Sequence, residues 1–367
     1  MPATLAAYVS GHGFGHIARS LTVLNQLQGA AADVHIRLRT SVAPWMVQRT
    51  AAPGIVLVPG PCDTGAVQRD SLHLDVAETL RQAEAFMSDW PAHVEREARW
   101  LASVGASLVL ADIPPLGIAA AARAGIPAVA LGNFTWDWIY GQWPGGTRLA
   151  DQLGDVYAAA DLALRLPLAA GFDTISRVVD VPLVARVSHR APDEVRRLMG
   201  WPSGVTLVLA SFGGFGQHGF DTAALAALGP DVRIILPRDA VPPGADPTGS
   251  LVALDESAMT ARGLRYEDLV RAVDVVVSKP GYGIIAECAA NDTALVYTSR
   301  GDFPEYPVLV NAMPRYIRSA FISHADLFAG AWRPAMTEAL AAARPADRPR
   351  TDGASVVTAR LRERLRP

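Results

Sequence analysis

Short apolar runs alternate with longer amphipathic stretches along most of this chain of 367 residues. Such alternation is typical of parallel sheets covered by helices. Each half of the chain supplies one series of apolar runs, and His73–Ala102 predicts a long helical stretch within the first series. The predicted strands are Leu5–Val9, Val34–Leu38, Ile55–Val58, Leu108–Ala111 and Ala128–Leu131, followed by Val205–Ala210, Val232–Leu236, Leu251–Leu254, Val273–Val277 and Ala294–Tyr297.

The length predicts two domains, because 367 residues exceed one ordinary α/β core and fit two domains of about 150 to 200 residues. We expect Rossmann-like domains with doubly wound parallel sheets over residues 1–183 and 184–345. Residues 346–367 are expected to form a helix that packs back on the N-terminal domain. Because Arg360–Leu365 is basic and amphipathic, a weak contact with a membrane surface is the alternative.

The composition of the chain argues against several functional classes of protein. A formal net charge of −3 gives no general attraction to nucleic acid or to an anionic membrane. Cys62 and Cys288 are the two cysteines, and neither lies in a motif for a disulfide framework or a zinc site. No signal segment or apolar run of membrane-spanning length is evident, so we expect a soluble, cytoplasmic protein. The oligomeric state stays open.

Each half opens with a strand that runs into a glycine-rich turn. The first turn contains Gly13 and Gly15, and the second contains Ser211, Gly213 and Gly214. Glycine lets the backbone turn sharply and approach a ligand closely. Because ligands of open parallel sheets bind beyond the carboxyl ends of the strands, we expect both turns to line a central cleft between two facing domains.

The first turn also carries two histidines, His12 and His16. A neutral imidazole can take a proton from a hydroxyl group, and His16 at the start of a predicted helix is our candidate base. Asp112, at the end of a predicted strand, is the candidate carboxylate that orients it. The alternatives are that His16 only caps or packs its helix and that Asp112 only caps the helix after it. For His12, a structural and a functional role are equally open.

Lys279 is the only lysine of the sequence and lies between a predicted strand and a predicted helix. It is followed by Gly281, Tyr282 and Gly283. A helix N-terminus after a glycine turn presents unpaired N–H groups to an anion, and lysine adds a compact positive charge. The segment therefore predicts a phosphate site. The alternative is an arginine-rich coding bias that leaves one lysine by chance.

Acidic residues near this turn suit a sugar nucleotide. Glu287, six residues after Gly281, is placed to accept hydrogen bonds from ribose, and Asp302 and Glu305 to hold sugar hydroxyls. The alternative for each of these three residues is that it is an ordinary carboxylate of a helix or loop with no role in binding. The chain contains no Asp-x-Asp pair, which favours phosphate binding without a metal ion.

An aromatic run on the N-terminal side, Trp136, Trp138, Tyr140 and Trp143, is suited to stack on an acceptor or to pack in the core. We place Trp136 on the acceptor side, together with Asp137 and His12.

In these motifs the sequence resembles glycosyltransferases of the GT-B fold, and within them the glycosyltransferase-like N-terminal region of plant L-arabinokinases. The segments that carry the resemblance are Gly11–Arg19, Cys62–Gln68, Asn133–Tyr140, Asp180–Val184 and Lys279–Gly283. It implies that His16 is the base of an inverting enzyme and Asp112 its partner. It also implies that Lys279 binds the donor phosphates and Glu287 the ribose, whereas Asp302 and Glu305 only approximate the family's Asp–Gln pair for the donor sugar. The galactokinase-like half of arabinokinase is missing, so kinase activity is not implied.

We therefore expect a metal-independent, inverting hexosyl- or pentosyltransferase that uses a nucleoside diphosphate sugar, a UDP-sugar, and a small-molecule acceptor, with no other cofactor. One alternative is a sugar-nucleotide 2-epimerase of the same fold, which consumes donor without an acceptor. The other is a non-catalytic module that binds nucleotide sugars.

Overall fold

The structure is a computed structural model that describes residues 2–213, 219–242 and 249–365. Contacts divide the chain into two compact units. The first unit comprises residues 1–67, 74–185 and 350–367, and the second comprises residues 68–73 and 186–349.

The first unit contains a parallel sheet of seven strands. These are β1 (Thr4–Val9), β2 (His35–Thr40), β3 (Ile55–Pro59), β4 (Leu108–Asp112), β5 (Ala128–Gly132), β6 (Leu162–Arg165) and β7 (Val178–Asp180). Their spatial order is β3-β2-β1-β4-β5-β6-β7. The central strands β1, β4 and β5 are buried along their whole length, which explains why they are continuous apolar runs in the sequence.

Eight helices belong to the described part of this unit. They are α1 (Gly13–Ala30), α2 (Pro44–Gln48), α3 (Val76–Ser88), α4 (Trp90–Ser103), α5 (Pro115–Ala124), α6 (Trp136–Gly141), α7 (Thr147–Tyr157) and, at the end of the chain, the helix Gly353–Leu365. The long helical stretch predicted between β3 and β4 is two helices, which corrects that expectation. The break between the two helices falls at Asp89, the N-cap of α4. Pro91 lies in the first turn of α4, where the N–H that proline lacks would have no partner within the helix.

The second unit contains a parallel sheet of six strands. These are β8 (Thr206–Ala210), β9 (Val232–Pro237), β10 (Leu251–Leu254), β11 (Val275–Ser278), β12 (Ala294–Tyr297) and β13 (Ser319–Phe321), in the order β10-β9-β8-β11-β12-β13. Its described helices are α8 (Pro192–Met199), α9 (Thr222–Ala226), α10 (Glu256–Ala261), α11 (Tyr266–Ala272), α12 (Tyr282–Asn291), α13 (Glu305–Ala312), α14 (His324–Phe328) and α15 (Arg333–Ala341). Short 3-10 turns cover Arg238–Ala240 and Met313–Arg315. The prediction of two parallel-sheet α/β domains is thus confirmed.

The C-terminal helix Gly353–Leu365, α16, packs against α1 within the first unit. Its apolar side chains Val357, Leu361 and Leu365 are buried. Within the described residues, no helix is both long and apolar enough to cross a membrane.

A six-residue strap, Gln68–His73, belongs to the second unit although its flanking residues belong to the first. Leu72 is 1% exposed and lies in the hydrophobic core of the second unit, and Ser71 Oγ donates to the carbonyl of Phe212 at 3.2 Å. The apolar anchor Leu72 and this hydrogen bond thus help to hold the strap beside the turn after β8.

Candidate active site

The first candidate site is a buried histidine–carboxylate pair at the carboxyl end of β4. His16 Nδ1 lies 2.8 Å from Asp112 Oδ1, and the two residues are 6% and 0% exposed. Asp112 is the last residue of β4, and His16 lies in the first turn of α1. When Nδ1 carries the hydrogen that Asp112 accepts, Nε2 is left without one and can accept a proton. The structure therefore brings together the two residues predicted as base and orienting carboxylate.

Arg19 completes this cluster from the next turn of α1. Its Nη2 and Nε donate to Asp112 Oδ1 and Oδ2 at 2.5 and 2.8 Å, and its Nη1 donates to Asn133 Oδ1 at 2.7 Å. Ser20 Oγ donates to Asp112 Oδ2 at 2.6 Å. With so many donors, Asp112 is held in a single orientation, which in turn fixes the imidazole of His16.

The charge of Asp112 is secure despite its complete burial. Burial raises the pKa of its carboxyl, but the charge and hydrogen bonds of Arg19, followed by those of His16, outweigh that effect and hold the pKa well below its usual range. Asp112 is therefore an anion at neutral pH.

A second carboxylate, Asp63, lies close enough to His16 and Asp112 for their charges to affect it. Its Oδ1 accepts a hydrogen bond from Ser10 Oγ at 3.1 Å, and its Oδ2 accepts one from Trp136 Nε1 at 3.0 Å. Burial raises the pKa of this carboxyl, and the hydrogen bond from Ser10 and the charge of His16 reduce the shift. Asp63 links the glycine turn to the aromatic helix α6.

His12 has its own set of contacts in this unit. Its Nδ1 accepts the backbone N–H of Ala66 at 3.2 Å, and its ring meets the ring of Trp136 edge to face at 6.1 Å. Because Nδ1 is an acceptor, the hydrogen of the neutral ring lies on Nε2. In this state His12 is a hydrogen-bond donor rather than a base.

The aromatic side chains predicted for the acceptor are packed in the protein. Trp136 is 1% exposed, stacks on Tyr140 at 5.5 Å between ring centroids, and meets Phe134 edge to face at 5.2 Å. Trp136 is therefore packed in the core, which is the alternative that the sequence left open. Asp137, in the first turn of α6, accepts a hydrogen bond from Thr174 Oγ1 at 3.3 Å on Oδ2, while its buried Oδ1 has no partner among the described residues.

The second candidate site surrounds Lys279, which follows β11 directly. Helix α12 begins three residues later at Tyr282, with Gly281 as its N-cap. A Cβ atom added at Gly281 would meet no described residue within 4 Å, so the described part of the chain leaves space beside this helix N-terminus. Burial, followed by the charge of Arg300, lowers the pKa of Lys279 from 10.5 to about 7, and the charge of Asp70 on the strap partly opposes that shift.

Arg300 is the second cation here, and sequence reasoning assigned it no role. It lies just after β12 and is 8% exposed. Its guanidinium carbon is 3.9 Å from the centre of the Phe303 ring, and its Nη1 is 3.9 Å from Glu305 Oε2, beyond hydrogen-bond distance. Its Nε is buried and has no hydrogen-bond partner within the described residues.

Glu287, the predicted ribose ligand, is paired with a residue that the sequence did not single out. Arg186 Nε donates to Glu287 Oε1 at 2.6 Å, and the guanidinium of Arg186 lies over the ring of Tyr266 at 5.2 Å. Burial raises the pKa of Glu287, although Arg186 opposes the shift. Any ribose contact of Glu287 must therefore share this carboxylate with Arg186.

The remaining predicted donor residues lie in both units, and those of the second unit that the structure describes follow β8 and β12. Ser211, directly after β8, shares a hydrogen bond of 2.6 Å with the hydroxyl of Tyr266. Gly213 has φ +76°, a conformation that favours glycine, and Gly214 lies outside the described residues. Asp302 is exposed, and Glu305 is 7% exposed at the start of α13. In the first unit, Gly13 has φ +72° and Gly15 is exposed.

Solved structures identify this architecture. A glycotransferase of kitacinnamycin aligns over 99% of this chain and 95% of its own, with 20% identity and a TM-score of 0.61. UGT89C1 of Arabidopsis thaliana, solved in complex with quercetin, aligns over 99% and 94%, with 15% identity and a TM-score of 0.62. The chain has the GT-B glycosyltransferase fold. A UDP-glucose:anthocyanidin 3-O-glucosyltransferase, solved with UDP, matches this GT-B chain over 99% of its length and 95% of its own, with 12% identity and a TM-score of 0.61.

The predicted resemblance to L-arabinokinase is also confirmed. L-arabinokinase of Arabidopsis thaliana is 30% identical over an alignment of 350 residues, which covers 91% of this GT-B chain and 32% of that protein. The chain thus spans about a third of the length of this relative. No family model matches the sequence.

Several residues of the two sites had no predicted role, among them Arg19, Asp63, Arg186 and Arg300. The sequence holds a signal for Arg19, because it lies three residues after His16 on a predicted helix and hence on the same face. Asp63, Arg186 and Arg300 lie outside regular elements, so no periodicity relates them to their partners. Within the described residues, no group of three or more His, Cys, Asp or Glu side chains could hold a metal ion.

Proposed function

We propose that this chain is an inverting glycosyltransferase that moves a sugar from a nucleoside diphosphate sugar, a UDP-sugar, to a hydroxyl group of a small acceptor. The observation that carries the proposal is the buried His16–Asp112 pair at the carboxyl end of a strand in a GT-B fold. The GT-B relatives solved with UDP and with quercetin support the choice of donor and of a small acceptor.

In the first unit, His16 Nε2 takes the proton of the acceptor hydroxyl as its oxygen attacks the anomeric carbon of the donor. The new bond is between that oxygen and the anomeric carbon, and the bond between the anomeric carbon and the diphosphate oxygen breaks. A single displacement of this kind inverts the configuration. Asp112 keeps the imidazole oriented and balances part of its new positive charge, as carboxylates do for catalytic histidines in general.

In the second unit, the leaving diphosphate receives its stabilisation from Lys279 and the N-terminus of α12. Positive charge and oriented N–H groups stabilise developing negative charge more in the transition state than in the ground state. This role needs no metal ion, and metal independence is part of the proposal. Glu287 is proposed to bind the ribose, and the turn with Ser211, Gly213 and Gly214, together with Tyr282, Gly283, Asp302 and Glu305, to shape the rest of the donor site.

The test of this proposal compares His16→Ala with the native chain. We expect His16→Ala to lower turnover about 10²- to 10⁴-fold, the usual contribution of a general base, and to leave the affinity for UDP within twofold. Product configuration at the anomeric carbon, determined by NMR, tests inversion. Retained configuration or equal turnover of the two proteins would contradict the proposal.

One observation favours a second candidate, a module that binds nucleotide sugars without turning them over. Arg19 already neutralises Asp112, so a proton on His16 gives the buried cluster of the three side chains a net charge of +1. A plain histidine–carboxylate pair would become neutral instead. Donor binding without turnover on a panel of phenolic and sugar acceptors would favour this module, and consumption of donor without acceptor would favour a 2-epimerase.

A further inference from the structure

Arg300 is a buried cation whose hydrogen-bonding capacity is not used by the described part of the protein. A guanidinium group carries five N–H donors, and nearly all buried donors in folded proteins are satisfied. Arg300 is 8% exposed, its Nε has no partner among the described residues, and its one ion pair there, with Glu305, is 3.9 Å long. Burying a cation with so few compensating contacts costs several kcal/mol, on the order expected for an unpaired buried ion.

The surroundings of Arg300 do not explain this arrangement as a structural one. Phe303 packs against the guanidinium plane at 3.9 Å, which fixes its orientation, while the Nε at its edge has no acceptor among the described residues. Lys279 is near enough for the two positive charges to repel each other. Two like charges close together in a partly buried place disfavour each other's charged form, and an anion bound beside them relieves that repulsion.

We infer that Arg300 binds an anionic oxygen group of the nucleotide sugar, beside Lys279. The inference rests on the proposed donor class. The group is either a phosphate of the diphosphate or the carboxylate of an acidic sugar, since both offer the pair of oxygens that a guanidinium edge binds with two parallel hydrogen bonds.

The experiment is a set of titrations by calorimetry with UMP, UDP, UDP-glucose and UDP-glucuronate. The proteins are the native chain, Arg300→Met, Arg300→Lys and the control Arg315→Gln, which changes an exposed arginine of the same unit. Methionine keeps an unbranched apolar stem over Phe303, and lysine keeps the charge but not the fork of N–H groups.

We expect Arg300→Met to weaken binding at least tenfold, Arg300→Lys to fall between it and the native chain, and Arg315→Gln to bind as the native chain does. Weakened binding of UDP and UDP-glucose assigns Arg300 to a phosphate, whereas a loss confined to UDP-glucuronate assigns it to the sugar carboxylate. Affinities of Arg300→Met within twofold of native for all four compounds would overturn the inference. A native chain that binds none of them would overturn the proposed function as well, so the two failures are distinguishable.

Thermal unfolding without nucleotide gives a second readout. Because Arg300 is a ligand residue in this account, Arg300→Met should not lower the midpoint of unfolding. A lower midpoint with unchanged nucleotide affinity would show that Arg300 stabilises the fold instead.

Discussion

Two buried arginines, one in each unit, differ in how the protein uses their N–H groups. Arg19 is 5% exposed and donates to the carboxylate of Asp112 and to Asn133. Arg300 is 8% exposed, and its Nε has no partner among the described residues. The first guanidinium completes a network that exists before any substrate binds, whereas the second presents unused donors. In the proposed mechanism, the network in the first unit is preorganised for proton transfer, and the unused donors in the second unit receive an anion.

Substituting each arginine by methionine is the strongest test of this difference between the two arginines. Arg19→Met leaves Asp112 as a fully buried carboxylate without its main cation, and removing one partner of a buried pair costs about 3–5 kcal/mol. We expect the free energy of unfolding, measured by urea titration, to fall by about that amount. Arg300→Met should cause no comparable loss. Equal losses in the two variants would show that both arginines are structural.

The pH dependence of UDP binding tests whether the Lys279 site receives an anion. The pKa of Lys279 is lowered by burial to about 7, so the free protein loses this positive charge as pH rises through that value. A bound diphosphate favours the charged ammonium, and UDP itself is fully ionised above pH 7 because its last phosphate pKa is about 6. The affinity for UDP should therefore fall by up to about tenfold per pH unit between pH 7 and 9.

The matched control for this pH series is Lys279→Arg, which keeps its charge throughout the range. Its affinity for UDP, measured by calorimetry, should be nearly independent of pH, whatever its absolute value. The same slope in both proteins would remove Lys279 as the titrating group. In the unliganded native chain, folding stability should rise as pH is raised from about 7 towards 10.5, because the unfolded chain then binds more protons than the folded one.

The smallest expected effect concerns the support of the first site. Trp136→Phe removes the hydrogen bond from the indole Nε1 to Asp63 while keeping an aromatic ring among Tyr140 and Phe134. We expect a loss of about 1 kcal/mol or somewhat more in the free energy of unfolding, and little change in the KM for an acceptor. A large rise in KM with unchanged stability would instead place Trp136 in contact with the acceptor.

Sequence patterns predicted the central strands well because these are long and buried on both faces. They missed β6, β7 and β13, and of these β7 and β13 have only three residues each, too few to stand out as apolar runs. The strap Gln68–His73 was also not predicted, since its anchor, Leu72, is a single apolar residue within a polar segment.

In the candidate sites too, residues placed by local sequence patterns could be predicted, whereas residues placed by contacts between distant segments could not. His16, Asp112 and Lys279 follow or precede predicted strands, so their place at a strand end could be predicted from the pattern. Arg19 had a signal in its spacing from His16 on a predicted helix, whereas Arg186 had none, because only the fold decides which of the many arginines pairs with Glu287. The binding role inferred for Arg300 depends on its burial together with its unsatisfied Nε, and the sequence shows neither of these features.

The most direct test of the central claim is thermal unfolding of the native chain and Lys279→Met with UDP, ADP and NAD at increasing concentrations. The account predicts that UDP stabilises the native chain, by about 2.7 kcal/mol at a hundredfold excess over its Kd, and that ADP and NAD do not. It also predicts that Lys279→Met loses most of this stabilisation. No stabilisation by UDP, or equal stabilisation of both proteins, would contradict the claim that Lys279 marks the site of a nucleoside diphosphate.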